Sequence, residues 1–256
     1  MKKTSSSDLE ELFIKLGVCK GRIVMLHGFI PSLGIIDGGY DTLFKVLFDL
    51  VGVNGGVIVP TFTYSFTKNE VFDVKNSKSV VGDFTNHFLT YKNCYRNLEP
   101  NFSMAGIGKG VKEILKRDRI LTFGKNSLYE KIEESDILFL LLGIHWDQGL
   151  SYFMHLEASF GINYRYNKVF HGHIIDSHGN KIEDEATHFV RDLDLNPVQN
   201  RAKLGSYLES NGIAKTAKFK YGLHKSIGSK ILKEKVFEKL NDEIYYLLKE
   251  VKGQEV

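Results

Sequence analysis

Two stretches of the 256-residue chain place acid–base side chains close together: His145 and Asp147 flank Trp146, and His155 lies two residues before Glu157. A histidine beside a carboxylate supplies a general base and the partner that orients it. A third stretch, LHGFIPSLGIIDGG (residues 26–39), sets His27 and a glycine-bearing loop ahead of an apolar periodic run. Loops of that kind, between a strand and a helix, present backbone N–H groups to phosphate; the alternative is a plain strand-to-helix turn. The GK[ST] of a Walker loop is absent. His171 and His173 would share one strand face, with His178 nearby, yet no third ligand is identifiable, so no metal is expected. No serine sits in a G-x-S-x-G elbow.

These residues need elements to hold them. Residues 8–17 read as a helix with Asp8 as N-cap and Gly17 as stop. GRIVMLHGF is a buried strand ending at His27, and Asp41 is a candidate cap for a helix running to Gly52. GGVIVPTFTYSF reads as a second strand broken at Pro60. Residues 106–117 and 126–134 look helical. SDILFLLLGI is a third strand, apolar throughout and so buried on both faces. Alternating helix and strand argue for an α/β fold with a substantially parallel sheet. Ligands in such sheets collect at the strands' carboxyl ends, where the His145 and His155 stretches would lie. The second half changes character. HGHIIDSHGNKIEDEATHFVRDL reads as a β-hairpin turning at His178-Gly179-Asn180, expected to cap one end of the sheet and close a cleft. SKILKEKVFEKLNDEIYYLLKEV reads as an amphipathic helix.

Bulk properties narrow the classes. The length suits a core of useful size, and the whole chain, 1–256, is expected to be one domain. A net charge of +3 is too weak for nucleic-acid binding, fits an anionic ligand, and fits a polycationic one less well. The longest apolar run, Ile137 to Ile144, is too short for a bilayer, and no leader is read at the N-terminus. Cys19 and Cys94 form no spaced pattern. A cytoplasmic protein is expected, with no membrane or nucleic-acid partner.

In order, these segments resemble the aminoglycoside 3-N-acetyltransferase family over residues 20 to 230. LHGFIPSLGIIDGG is similar to H-S-S-L…G…GG, VGVNGGVIVPTFTYSF to G-T-L-x-x-P-T-F-T, and FDVKNSKSVVGDFTNHF to FDP…TPS…G…F. RNLEPNFSMAGIG resembles RS-x-HP-x-x-S…G, FGKNSLYEKI resembles FG-x-x-SPY, and HLEASFGINYRYNK resembles the region of the catalytic His and Glu. The resemblance implies a three-layer α/β/α fold, distinct from the GNAT fold. It has a mixed, largely parallel sheet with an added hairpin and C-terminal helix. It also implies acetyl-CoA as cosubstrate, no metal, and direct attack of a sugar amine on the thioester. By resemblance, His155 is the base and Glu157 its partner. His27, Gly28, Phe29, Ile30, Ser32, Leu33, Gly34 and Ser103 would hold the cofactor. Tyr64, Asp73, Glu99 and Arg165 would hold the amino-sugar substrate. A homodimer is compatible with all of this.

Three positions depart from the pattern. Gly28 and Phe29 replace the two serines, and Glu99-Pro100 replaces HP. The family's H-x-x-E spacing becomes His155-x-Glu157; aligned without a gap from Glu157 through Tyr164-Arg165, Met154 takes the His slot. On a strand, residues i and i+2 share a face, whereas on a helix i and i+3 are neighbours. Either the segment is extended and His155 pairs with Glu157, or it is helical and His155 finds another carboxylate, or His155 is not the base. The expected acceptor is a nucleotide-linked amino sugar of surface-polysaccharide synthesis. The alternatives are an aminoglycoside, and a degenerate CoA- or sugar-nucleotide-binding protein without turnover.

Overall fold

The computed structural model describes residues 2–118 and 121–255. In chain order its main elements are α1 (Ser6–Lys15), β1 (Ile23–Gly28), α2 (Gly39–Val51), β2 (Gly56–Pro60), β3 (Phe72–Asp73), α3 (Asp83–Phe88), β4 (Tyr95–Arg96), β5 (Met104–Gly108) and α4 (Val111–Leu115). They continue with α5 (Leu128–Glu134), β6 (Leu138–Leu142), α6 (Tyr152–Phe160), β7 (Arg165–Ile175), β8 (Lys181–Arg191), α7 (Arg201–Ser210), β9 (Lys215–Phe219), β10 (Gly222–Gly228) and α8 (Ser229–Asp242).

The central sheet has the order β9-β10-β6-β1-β2-β5-β4. Its middle three strands, β6, β1 and β2, are parallel, and every outer pairing is antiparallel. The parallel part is therefore confined to the strands that the helix–strand alternation marks. The outer strands come from segments without that alternation: residues 106–108 extend β5 and only 111–115 are helical.

Period-two alternation splits the core in two. Val24 and Leu26 of β1, with Leu138, Leu140 and Leu142 of β6, face α1 and α2. Met25, Phe139 and Leu141 face α5, α6, α7 and α8. Ser5 caps α1 in a capping box with Asp8, so Asp8 is its third residue rather than its cap. Gly38, left-handed at φ 81°, precedes α2; Asp41 instead accepts hydrogen bonds from Tyr91 and the His87 ring.

The β7–β8 hairpin turns at Asp176–Asn180 and pairs in parallel with β3 as a separate three-stranded sheet. The C-terminal helix ends at Asp242, and Leu248–Val251 returns as a strand that pairs with Val198 and Gln199. Among the described residues no helix is long and apolar enough to cross a membrane, and no group of three or more His, Cys, Asp or Glu is placed to hold a metal ion.

Candidate active site

A cavity of about 370 Å³ opens at the carboxyl ends of β1 and β2, the place where open α/β sheets bind ligands. His27 and Gly28 end β1 on its floor, and Pro60, Phe62 and Tyr64 follow β2. Ile144, Leu150 and Met154 form one apolar wall with Val81 and Phe84, and Arg165, Gln199 and Arg201 form the polar one. Among the described residues lining the cavity, none is an Asp or Glu.

His27 lies on the same face of β1 as Met25, its ring 6.2 Å from that of Phe139. Burial pushes the imidazole down to about 4, opposed by a hydrogen bond with the Gly149 backbone. It is neutral near pH 7, and its Nε2 is buried without a hydrogen-bond partner among the described residues. Tyr64 adopts a left-handed φ of 56°, uncommon for a bulky side chain, and burial raises its phenol pKa.

Glu157 is fully buried behind the polar wall. Its Oε2 lies 3.2 Å from Arg165 Nε and 3.5 Å from Arg201 Nη2, and its Oε1 accepts from the Tyr164 hydroxyl at 3.2 Å. Glu157 thus anchors two arginines instead of a histidine. Arg201 stacks over Phe153 at 4.7 Å, and Arg165 donates to the Phe189 carbonyl at 3.1 Å. With its oxygen turned to the guanidiniums, Gln199 accepts from Arg201 Nη2 at 2.9 Å and from Arg165.

The expected base is not in this cleft. The stretch is helical, so His155 and Glu157 point apart, and the His155 ring is fully buried against Tyr129 and Tyr152. Its Nδ1 accepts the Gly124 N–H at 3.2 Å. That leaves the proton on Nε2, which donates to Glu133 at 3.1 Å. Both nitrogens are therefore occupied, with no free lone pair for an incoming amine. Met154, one residue earlier, faces the cavity in its place.

Of the residues expected to hold cofactor, only His27 and Gly28 line the cavity. Ile30 and Leu33 are buried in the α1/α2 core, and Phe29 is exposed at the surface. The Ser32 hydroxyl is buried without a partner among the described residues. Ser103 donates to the Thr61 carbonyl and accepts from Arg96, outside the cavity lining. Gly34, at φ 82°, packs against the Lys2 carbonyl. Within the loop the N–H groups of Phe29, Ser32, Gly34, Ile35 and Asp37 donate to backbone carbonyls and are not free for phosphate. A side chain at Gly28 would place its Cβ 2.9 Å from Leu142 Cβ, which accounts for the lost serine.

Of the residues expected to bind substrate, Tyr64 and Arg165 line the cavity. Asp73 instead holds its own turn through the Lys75 and Asn76 N–H groups. Glu99 is buried, accepting from the Asn101 N–H and the Thr122 hydroxyl, with Arg117 at 3.5 Å. Burial raises its carboxyl pKa, against the pull of Arg117. The His145–Asp147 pair forms at 3.2 Å, outside the cavity lining. Sequence reasoning missed Gln199 and Arg201. The available signal was a cation at the first position of a helix, where the dipole disfavours it.

The family model for aminoglycoside 3-N-acetyltransferase matches residues 25–230. The aminoglycoside N(3')-acetyltransferase-like protein YokD of Bacillus subtilis (strain 168), derived from the SPbeta prophage, is 25% identical over an alignment covering 57% of this chain and 61% of that relative. The chain thus spans under two thirds of that curated relative's length. A mutant of aminoglycoside acetyltransferase AAC(3)-IVa in complex with a gentamicin superposes with a TM-score of 0.81 at 18% identity, covering 96% of this chain and 92% of that one. The AAC-IIIb binary complex with CoASH superposes at 0.79 and 18% identity, covering 94% and 97%. At such identities the superpositions establish the shared fold.

Proposed function

The chain belongs to the aminoglycoside 3-N-acetyltransferase family, and from that premise we propose that it transfers an acetyl group from acetyl-CoA to a primary amine of an amino sugar. The observation that carries the reading is the cleft at the ends of the parallel strands. Its apolar wall of Phe62, Phe84, Leu150 and Met154 suits an acyl-pantetheine arm, and its polar wall suits a sugar. The amine nitrogen attacks the thioester carbonyl, the carbon–sulfur bond breaks, CoA leaves as its thiol, and the amine loses one proton. An ammonium has no lone pair, so a base or an already neutral amine is required. With Met154 facing the cleft, His155 fully hydrogen-bonded in the core, and the His27 imidazole on the floor made weakly basic by burial, the acceptor enters as the free amine. The rate then follows the fraction of amine that is neutral at a given pH.

Solved relatives hold gentamicin or sisomicin, and with the family match this supports an aminoglycoside as acceptor better than a nucleotide-linked amino sugar. A nucleotide-linked amino sugar is supported instead by the cleft itself, with two guanidiniums and no carboxylate among its described lining residues. Met154 also favours a second reading, a binding protein that holds CoA without turnover. Release of CoA thiol, followed against gentamicin, kanamycin, simple amino sugars and a UDP-linked amino sugar, separates these. Thiol release that needs an amine and rises tenfold per pH unit below the amine pKa supports the reading. CoA binding without thiol release from any amine overturns it in favour of the binding protein.

A further inference from the structure

The two arginines in the cleft wall carry more charge than their surroundings balance. Arg165 and Arg201 are each more than nine-tenths buried, and they share the single carboxylate of Glu157. Buried charges are ordinarily paired. Among the described residues no second carboxylate pairs with either guanidinium. Arg191 adds repulsion on Arg165. Burial beside Glu157 raises the Tyr164 phenol pKa and keeps it neutral. The Asp147 carboxylate accepts from the Arg201 backbone N–H at 2.6 Å and lies 3.2 Å from the His145 ring, and among the described residues it forms no ion pair with either guanidinium. Glu209 accepts from the Trp146 indole at 2.6 Å and faces Lys225. Among the described residues the two guanidiniums therefore have one carboxylate within ion-pairing distance between them. The Nε atom of Arg201 is buried without a hydrogen-bond partner among the described residues, and that of Arg165 has only the Glu157 carboxylate, at 3.2 Å. Glu157 and Gln199 fix the two guanidiniums side by side, the preorganised fork geometry that phosphate and carboxylate groups match.

We propose that Arg165 and Arg201 form a subsite for an anionic group, phosphate or carboxylate, carried by the amine acceptor. The acceptor is then an acidic amino sugar such as a sugar phosphate, not a polycation. That the ligand is an acceptor rests on the acyl-transfer reading; that the subsite takes an anion does not. The same chemistry is present on the phosphates of CoA, so both sources are tested.

The experiment is calorimetry on the full chain with glucosamine, glucosamine 6-phosphate, kanamycin and CoA. It compares the wild type with Arg201→Gln and Arg201→Lys; Arg201 is chosen because Glu157 keeps Arg165 when Arg201 is lost. Glucosamine 6-phosphate should bind tighter than glucosamine by about 10- to 100-fold, the range of charge-assisted hydrogen bonds. Arg201→Gln should erase that preference, Arg201→Lys should keep much of it, and CoA affinity should stay within about twofold. Equal binding of the two sugars, absence of binding by both, or tighter binding of kanamycin than of the sugar phosphate overturns the proposal. So does an Arg201→Gln chain that loses CoA affinity while keeping sugar-phosphate selectivity, which assigns the arginines to the cosubstrate. Sugar-phosphate selectivity without thiol release from any amine ends the acyl-transfer reading and leaves the subsite standing. Turnover without phosphate preference does the reverse.

Discussion

Replacing His155 with alanine separates a catalytic from a structural imidazole. The ring is fully buried between Tyr129 and Tyr152, so its removal leaves a cavity in the core below the cleft. The Gly124 N–H loses its acceptor at 3.2 Å, while Glu133 keeps Lys233 at 2.6 Å. A large-to-small change at such a site costs about 2–5 kcal/mol, and a stranded buried N–H adds about 1–3 kcal/mol. For a chain of this size each kcal/mol moves the melting temperature by roughly 2–4 °C, so Tm should fall on the order of 10 °C. His155→Asn should recover part of the loss, because its amide oxygen reaches the place of Nδ1. Thermal unfolding by circular dichroism gives Tm, and thiol release well below both melting points gives kcat, which should stay within about threefold of wild type. A base would instead lower kcat by about 10²–10⁴-fold. A Tm within about 2 °C of wild type together with that kcat loss would refute the reasoning.

The other expectations follow from the same geometry. Met154→His puts an imidazole on the cleft wall three residues before Glu157; it should raise kcat about tenfold or more at pH 7 and flatten the pH dependence, and an unchanged or lower kcat in a folded variant counts against an amine site beside Met154. Gly28→Ser forces a Cβ to 2.9 Å from Leu142 Cβ and 3.0 Å from the Leu142 carbonyl; unfolding should show a loss of about 1–3 kcal/mol, and a stabilised variant contradicts the close approach. His27 titrates near 4 in the folded chain against an ordinary value of 6.5. The folded state thus favours the neutral ring, and this contribution is whole above 6.5 and lost as pH falls through 6.5 towards 4. The loss is about 3 kcal/mol, so urea midpoints should fall over that window and fall less in His27→Asn; equal slopes would show that His27 does not govern it.

The parallel centre of the sheet is legible because Val24/Met25/Leu26 and the unbroken run Leu138–Leu142 are the pattern of strands buried on both faces. The outer strands are not: Lys215–Phe219 has a polar face, and Met104–Gly108 runs through Lys109-Gly110 straight into a short helix, so the two read as one helical stretch. Family order locates the cleft through His27, Tyr64 and Arg165, yet it does not assign the His155 stretch, where a one-residue offset on a helix exchanges a core position for a cleft position. Ile30 and Leu33 show the same limit, since a motif fixes a loop's place but not which of its side chains turn inward. Arg201 and Gln199 reach Arg165 only through tertiary folding, and the one local signal in NPVQNRAKLG, a cation opening a helix, does not say what it faces.

Acetyl transfer to an amine in this cleft is tested most directly by mass spectrometry of purified full chain incubated with acetyl-CoA and each amine of the panel. The expected result is an amine product heavier by one acetyl group, absent without protein and more abundant at pH 9 than at pH 7 in proportion to the neutral amine. Intact amines throughout, with CoA shown by calorimetry to bind the same preparation, would contradict it.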